Sequence, residues 1–215
     1  QQKGFGKLLA QGSARAAKKL GKGAQYLQTV RGIEVPMHDP RFSPMFARTY
    51  QYDPTPARHV KGGLGIADFQ SPNEVKYNYE GRGQVDMEVT CGTEILNASG
   101  LCLFGGFSMP PDAMMRFIQA ATGWDFKQED VLQTGKRIMN MRYAFNLREG
   151  QKLTDDDNQL PKRCVGDPPQ TEGPVKGITV DAKKLGDNFC QSMGWDEETK
   201  IPTRESLEKL GEMKD

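Results

Sequence analysis

Long apolar runs are missing from this sequence, and neither sign of charge is in excess. No stretch of about 18 consecutive apolar residues occurs, so no conventional membrane-spanning helix is expected. Lys and Arg total 29 against 28 Asp and Glu, a formal net charge of +1. This balance gives no electrostatic reason to expect nucleic acid or an anionic membrane as a partner. With 36% hydrophobic and 27% charged residues, the 215-residue chain has the composition of a folded globular protein.

Cysteine is scarce, and none of the four cysteines forms a C-x-x-C pair. The chain alone therefore lacks the spacing of a zinc ribbon or of a complete ferredoxin-type cluster. Taken singly, each cysteine is expected to be a small buried apolar residue. No secretory signal pattern is present, so reduced thiols and a cytoplasmic location are expected. The first residue is Gln1 rather than Met, which we interpret as truncation upstream.

Apolar residues recur at helical spacing over most of the chain, which predicts a mainly α fold. The predicted helices cover residues 5–22, 113–122, about 125–145, 181–193 and a short segment after Thr203. Phe117 and Phe145 are assigned to buried helix faces, and Asp125 with Gln128 is interpreted as a capping box. Residues 85–96 suit either a strand, because polar and apolar residues alternate, or a helix, because of their length.

Irregular structure is expected where Pro, Gly and polar residues are concentrated. These segments are the Pro-rich residues 36–56, the Gly-rich residues 62–75 and the polar residues 150–177. We place a domain boundary between residues 107 and 108. The first helical domain would then span 1–107, and the second would span 108–215.

The specific signals are short phrases that follow one another in a fixed order. They are GKLLAQGSARAAKKLGKGA (6–24), RGIEVPMHDPR (31–41), ARHV (57–60), SGLC (99–102), TGWD (122–125), GKRI (135–138), FNLREG (145–150), LPKR (160–163), EGPVKG (172–177), GWD (194–196) and LEKLG (207–211). Any one phrase is weak, but their order across nearly the whole chain resembles the second half of the aldehyde:ferredoxin oxidoreductase family.

The resemblance implies a fold and a set of cofactors. The fold would be the two helical C-terminal domains of the family's architecture, without its β-rich N-terminal domain. Family enzymes hold tungsten between two pterin cofactors (a tungsten bis-pterin, with molybdenum as the alternative metal) near a 4Fe–4S cluster. They oxidise aldehydes to carboxylic acids and pass electrons to ferredoxin or to an iron–sulfur subunit. The implied partners are the missing N-terminal portion and that electron acceptor, with a homodimer as a further candidate assembly.

The segment NASGLC (97–102) is the most informative part of the sequence. The family has a D-x-x-G-L-C phrase here, which contacts a pterin and supplies one cluster thiolate. The resemblance thus implies that Cys102 is a cluster ligand and that Asn97, Gly100 and Leu101 bind the cofactor. Asn97 departs from the family Asp, since an amide adds a donor and brings no charge. A glycine at position 100 lets backbone pass close to a flat cofactor.

His59, in the phrase TPARHVKGG, resembles the family histidine beside the substrate cavity. A His there could donate a hydrogen bond to the substrate and move a proton near neutral pH. The other histidine, His38, is interpreted as structural, and Asp39 and Arg41 are expected to brace its turn. Arg58 is assigned to the surface or to loop bracing rather than to anchoring an acidic group.

Three other interpretations stay open. A family member of the aromatic acyl-CoA reductase type would use the same cofactor for a reduction. An inert helical interaction module is the second, favoured by Asn97 and by the absence of a three-cysteine phrase. The third is a subunit of a naturally split enzyme. The chain alone is expected to be inactive in every case.

Overall fold

The computed structural model describes residues 3–211 and 213. Within them lie eleven α-helices: α1 (Phe5–Leu9), α2 (Ser13–Leu20), α3 (Met45–Tyr52), α4 (Asn73–Lys76), α5 (Arg82–Ala98), α6 (Leu103–Gly106), α7 (Ala113–Thr122), α8 (Gln128–Arg148), α9 (Lys162–Val165), α10 (Ala182–Met193) and α11 (Arg204–Glu208). The same residues contain one antiparallel pair of short strands, β1 (Thr29–Val30) and β2 (Ile33–Glu34). The predicted mainly α fold is confirmed.

Four helices form the centre of the fold. α5 packs against both α8 and α10, and α10 packs in turn against α3. The helices approach closely because glycine lies at each crossing, where an added Cβ would overlap the neighbouring helix. The close pairs are Gly135 with Cys91, Gly83 with Asn188, and Gly186 with Tyr52.

Two clusters of buried apolar residues surround these helices. The first joins α3 to residues 160–185, and the second joins α5 to α8 and α10. Both clusters combine residues from either side of the 107/108 boundary, which itself stays a prediction. No helix in the described part of the chain has the length and apolar character needed to cross a bilayer.

The structure corrects the prediction of a single helix at residues 5–22. Two short helices, α1 and α2, occupy this segment and are separated at Gly12, whose φ is +89°. The Glu34 carboxylate accepts hydrogen bonds from the backbone N–H and the hydroxyl of Ser13, at 2.7 and 2.9 Å. The first turn of α2 is therefore tied to the β1–β2 hairpin, a contact that sequence periodicity does not reveal.

The structure also settles the three undecided or irregular segments in the first half. Residues 85–96 are helical and belong to α5, so the helical alternative is confirmed. The Pro-rich segment contains the eight-residue helix α3, of which every residue is buried. The Gly-rich segment 62–75 is more ordered than expected, since it contains a 3₁₀ helix at Ala67–Gln70 and the start of α4.

Helix boundaries in the second half are mostly as expected, but two buried faces are not. The hydroxyl of Thr203 accepts from Ser206 N, which confirms the predicted cap of α11. The capping carboxylate of α8 is Asp130, bonded to Lys127 N at 2.8 Å, rather than part of an Asp125 box. Phe117 and Phe145, assigned to buried faces, are 53% and 56% exposed.

Candidate functional site

Two segments meet beside the middle and C-terminal half of α5: the loop after α3, and α6 with the residue that follows it. They enclose a cavity of about 200 Å³. It is lined by His59, Val60, Gly62, Gly63, Ile66, Ala67, Val89, Thr93, Leu103 and Phe107. A second cavity of about 290 Å³ shares the lining residues Val89, Thr93, Leu103 and Phe107. The two form a largely apolar depression with one imidazole at its wall.

The loop that carries His59 is clamped from α8. The Arg142 guanidinium donates to Asp53 Oδ1 at 2.6 Å and to the Thr55 hydroxyl at 2.7 Å. Asn146 donates to the carbonyl of Pro54 at 2.6 Å. Ala57 adopts a left-handed φ of +58°, and its N–H donates to Tyr50 O at 2.9 Å. Because a non-glycine residue disfavours this conformation, these contacts hold the backbone that precedes His59 in a defined path.

Arg142 also connects the loop to α5, through Glu94. Its Nη1 donates to Glu94 Oε1 at 2.5 Å. Asp53 and Glu94 are almost completely buried, so one guanidinium serves two buried carboxylates. Burial raises the pKa of Glu94; Arg142 opposes that rise, and Asp53 adds to it. The network therefore contains a carboxyl group, that of Glu94, which ionises less readily than usual. Glu94 lies one helical turn before Asn97 on α5.

His59 is half-buried and makes an edge contact with His38, with ring centroids 4.6 Å apart. Burial lowers the pKa of His59, and the neighbouring His38 lowers it further. His38 itself stacks on Phe46, as expected of a structural residue. Asp39 and Arg41 brace the turn as predicted, through an ion pair of 2.7 Å. Arg58 is exposed, and the role assigned to it stays a prediction.

Asn97 joins the end of α5 to the His59 loop. Its amide Nδ2 donates to the carbonyl of Val60 at 3.3 Å. An ionised aspartate could not donate this hydrogen bond. The asparagine that replaces the family Asp makes it with its amide N–H. Asn97 is therefore tied to the loop that carries His59, although it is not among the residues that line the depression.

Gly100 has a specific backbone role at the end of α5. Its φ is +76°, and two hydrogen bonds, Gly100 N to Asn97 O and Leu101 N to Leu96 O, both of 3.3 Å, form a Schellman motif. This turn directs the chain into α6, whose first residue, Leu103, lines the cavity with His59. Leu101 faces a different cavity, of about 600 Å³, lined also by Ser99 and Phe117.

Cys102 differs from the other three cysteines in its exposure. It is exposed at the residue before α6, whereas Cys91, Cys164 and Cys190 are buried. Burial raises the pKa of these three thiols to about 12, 11 and 12 respectively. Of the four thiols, Cys102 is therefore the one accessible at the surface of this chain.

The described residues contain no group of three or more His, Cys, Asp or Glu side chains arranged to hold a metal ion. A four-thiolate cluster at Cys102 would therefore take its other three thiolates from outside them. Sequence reasoning missed the Arg142 network and the contact between His38 and His59. Asp53 lies six residues before His59 in a Pro-rich turn, and that proximity was the available signal.

The fold and the site define a class of protein: a mainly helical chain with one exposed thiol and one half-buried imidazole beside a largely apolar depression. The family model described as "Aldehyde ferredoxin oxidoreductase, domains 2 & 3" matches residues 1–211, and the chain belongs to this family. The resemblance seen in the sequence is thereby confirmed.

Individual relatives agree with the family match. The chain is 36% identical to a tungsten-containing aldehyde ferredoxin oxidoreductase of Pyrococcus furiosus, and 34% identical to one of Thermococcus kodakarensis. It is 28% identical to the WOR-like subunit of an aliphatic sulfonate oxidoreductase of Pyrococcus furiosus. These alignments cover 97–98% of this chain but 33–35% of the relatives. The chain thus spans about a third of their length.

Proposed function

We propose that this chain is the C-terminal part of a tungsten–pterin, iron–sulfur oxidoreductase that oxidises aldehydes to carboxylic acids. The observation that carries the proposal is the exposed thiol of Cys102, one residue before α6, beside a cavity with His59 at its wall. The names of the 34–36% identical relatives support both the metal and the substrate class.

Cys102 is the proposed cluster ligand. A thiolate binds cluster iron, and its exposed position leaves room for a cluster that the N-terminal portion completes. The chain contributes one donor, which fits a centre shared between two parts of a protein. Ligation at Cys102 would place the cluster beside α6 and next to the depression.

His59 is the proposed catalytic residue. Its lowered pKa keeps the ring neutral near pH 7, so that one nitrogen can donate a hydrogen bond while the other accepts a proton. The clamp from Arg142 to Asp53 and Thr55 fixes the loop before it. A proton released when an aldehyde is oxidised would pass to this ring, which is a general-base role.

Asn97, Gly100 and Leu101 are the proposed cofactor-binding residues. Asn97 is oriented by its bond to Val60, and the Schellman turn at Gly100 leaves open space where a side chain would otherwise stand. When bound, the tungsten bis-pterin (or its molybdenum counterpart) would supply the two-electron chemistry. Ferredoxin, or an iron–sulfur subunit, is the proposed electron acceptor. The proposed location is the cytoplasm, and the proposed assembly is a homodimer.

The test uses the full-length protein that contains this chain, purified without oxygen. We expect tungsten and about four irons per copy by plasma mass spectrometry. Cys102→Ser should lower the iron content, whereas Cys164→Ala, which changes a buried thiol, should leave it unchanged. Neither tungsten, molybdenum nor iron in a folded sample would contradict the proposal and favour the inert helical module.

The kinetic test separates His59 from the cluster. His59→Gln is expected to lower kcat for aldehyde oxidation by about 100-fold, a usual loss for a general base, at unchanged metal content. Arg58→Gln, at the exposed neighbouring position, is the control and should retain activity. An enzyme with full metal content that oxidises no aldehyde would favour the acyl-CoA reductase alternative. A kcat of His59→Gln equal to that of the unmodified enzyme would contradict the catalytic role of His59.

A further inference from the structure

The two histidines of this chain lie against each other at the wall of the depression. The ring planes of His38 and His59 are inclined at 68°, and their centroids are 4.6 Å apart. This is the edge-to-face arrangement that aromatic rings prefer. The contact joins the loop before α3 to the loop after it, so the two rings meet although 20 residues separate them along the chain.

His38 is held firmly in place. Its ring is stacked on Phe46 at 5.2 Å, with the planes at 9° to each other, and it lies 5.4 Å from the ring of Phe69. Its backbone carbonyl accepts a hydrogen bond of 2.9 Å from the hydroxyl of Tyr50. Because aromatic rings on α3 and on the 3₁₀ helix hold it, His38 presents a fixed surface to His59.

Three ion pairs lie on the elements that surround the two rings. The pairs are Asp39 with Arg41, Arg48 with Asp86, and Asp68 with Arg82. Arg58 and Lys61 flank His59 along the chain and are its nearest cations in sequence. In the described part of the chain, the cavity lining contains no titratable side chain besides His59. His38 is thus the ionisable ring in direct contact with it.

We propose that His38 is a positioning residue for His59, which fixes the orientation of that imidazole at the cavity wall and keeps it neutral by opposing a second proton on the pair. A positive charge on one ring disfavours a proton on its neighbour, so the contact couples the two rings electrostatically. Both burial and His38 lower the pKa of His59, in agreement with this coupling. The functional consequence rests on the proposed role of His59 as the proton acceptor.

The experiment measures the protonation of each histidine in the full-length enzyme. Deuterium exchange at imidazole Cε1, read peptide by peptide by mass spectrometry across neutral pH, reports the midpoint of His59 without using activity. In His38→Gln we expect this midpoint to rise by about 0.5–1 pH unit. His38→Phe, which retains the stack on Phe46, is measured in parallel in case His38→Gln does not fold. Phe69→Leu perturbs the same aromatic cluster without removing an ionisable group and should leave the midpoint in place.

The outcomes separate this inference from the proposed function. If His59 is the base, the acid limb of the pH dependence of kcat moves upward with its midpoint. A moved midpoint with an unmoved acid limb would support the coupling of the rings but overturn the catalytic role of His59. A midpoint that stays unchanged in whichever His38 variants fold would overturn the inference itself.

Discussion

Arg48 of α3 binds both carboxylate oxygens of Asp86 of α5, at 2.5 and 2.8 Å, and both side chains are fully buried. Thr90 accepts a further hydrogen bond from the guanidinium at 2.9 Å, and Leu64 N donates to the carboxylate at 3.1 Å. The guanidinium also lies 4.1 Å from the centre of the Phe189 ring on α10. One ion pair thus joins three of the central helices and the loop that forms the cavity.

Removing one partner of this pair should destabilise the fold strongly. Asp86→Ala leaves the Arg48 charge buried without compensation, which costs about 3–5 kcal/mol in the free energy of unfolding. Denaturant unfolding of the folded protein measures this change. The matched control is Glu208→Ala, which breaks the exposed pair with Arg204 and should have little effect, because water already solvates both ions. Equal losses in the two variants would contradict the argument.

The crossing of α5 and α8 should be sensitive to a single methyl group. Gly135→Ala places a Cβ against the backbone and side chain of Cys91, so the helices must move apart at a cost of about 1–3 kcal/mol. Gly92→Ala adds the same methyl group to α5 where no atom lies within 4 Å, and alanine favours helix over glycine. We expect a lower thermal midpoint for Gly135→Ala alone. A Gly135→Ala variant as stable as Gly92→Ala would contradict the close approach of α5 and α8 at Gly135.

Thiol reactivity should single out Cys102. At pH 8 a buried thiol with a pKa of about 12, such as Cys91 or Cys190, has a thiolate fraction of about one in ten thousand. Iodoacetamide should therefore alkylate Cys102 first in the folded 215-residue chain, as read by peptide mass spectrometry. The same chain unfolded in denaturant is the control, in which all four cysteines react. Alkylation of Cys91 in the folded chain at a rate similar to that of Cys102 would contradict the buried assignment.

Sequence periodicity predicted those helices whose capping residues lie next to them in the sequence. It did not predict contacts between residues that are far apart in the chain. Residues 181–193 were predicted to be helical, and Asp181 does cap α10 through Lys184 N. Phe145 also fits an apolar helix face, but periodicity does not say whether another element covers that face, and here none of the described residues buries it. The Arg48–Asp86 pair spans 38 residues, so no local pattern reveals it.

The site was predictable to a similar degree. Cys102 and His59 stand in phrases whose order carries the family resemblance, and the sequence therefore pointed to them. The contact of His59 with His38 depends on the path of two loops around α3, which residue spacing does not determine. The same holds for Arg142, since a basic residue on a long helix is ordinarily solvated, and only folding brings it to Asp53.

Glu94 should give the protein a specific dependence of stability on pH. Its folded-state pKa is raised above the ordinary 4.5, so the group stabilises the fold when protonated, and this contribution is lost as pH rises through the folded-state pKa. Glu94→Gln removes that titration while retaining an oxygen that can accept from Arg142. The unmodified protein should therefore lose stability relative to Glu94→Gln as pH rises, so the free energy of unfolding of the variant minus that of the unmodified protein increases from about pH 4.5 toward neutrality. Denaturant unfolding across this range measures the difference, with Glu149→Gln at an exposed site as the control. A difference that does not change with pH would show that Glu94 ionises normally and that Arg142 fully compensates its burial.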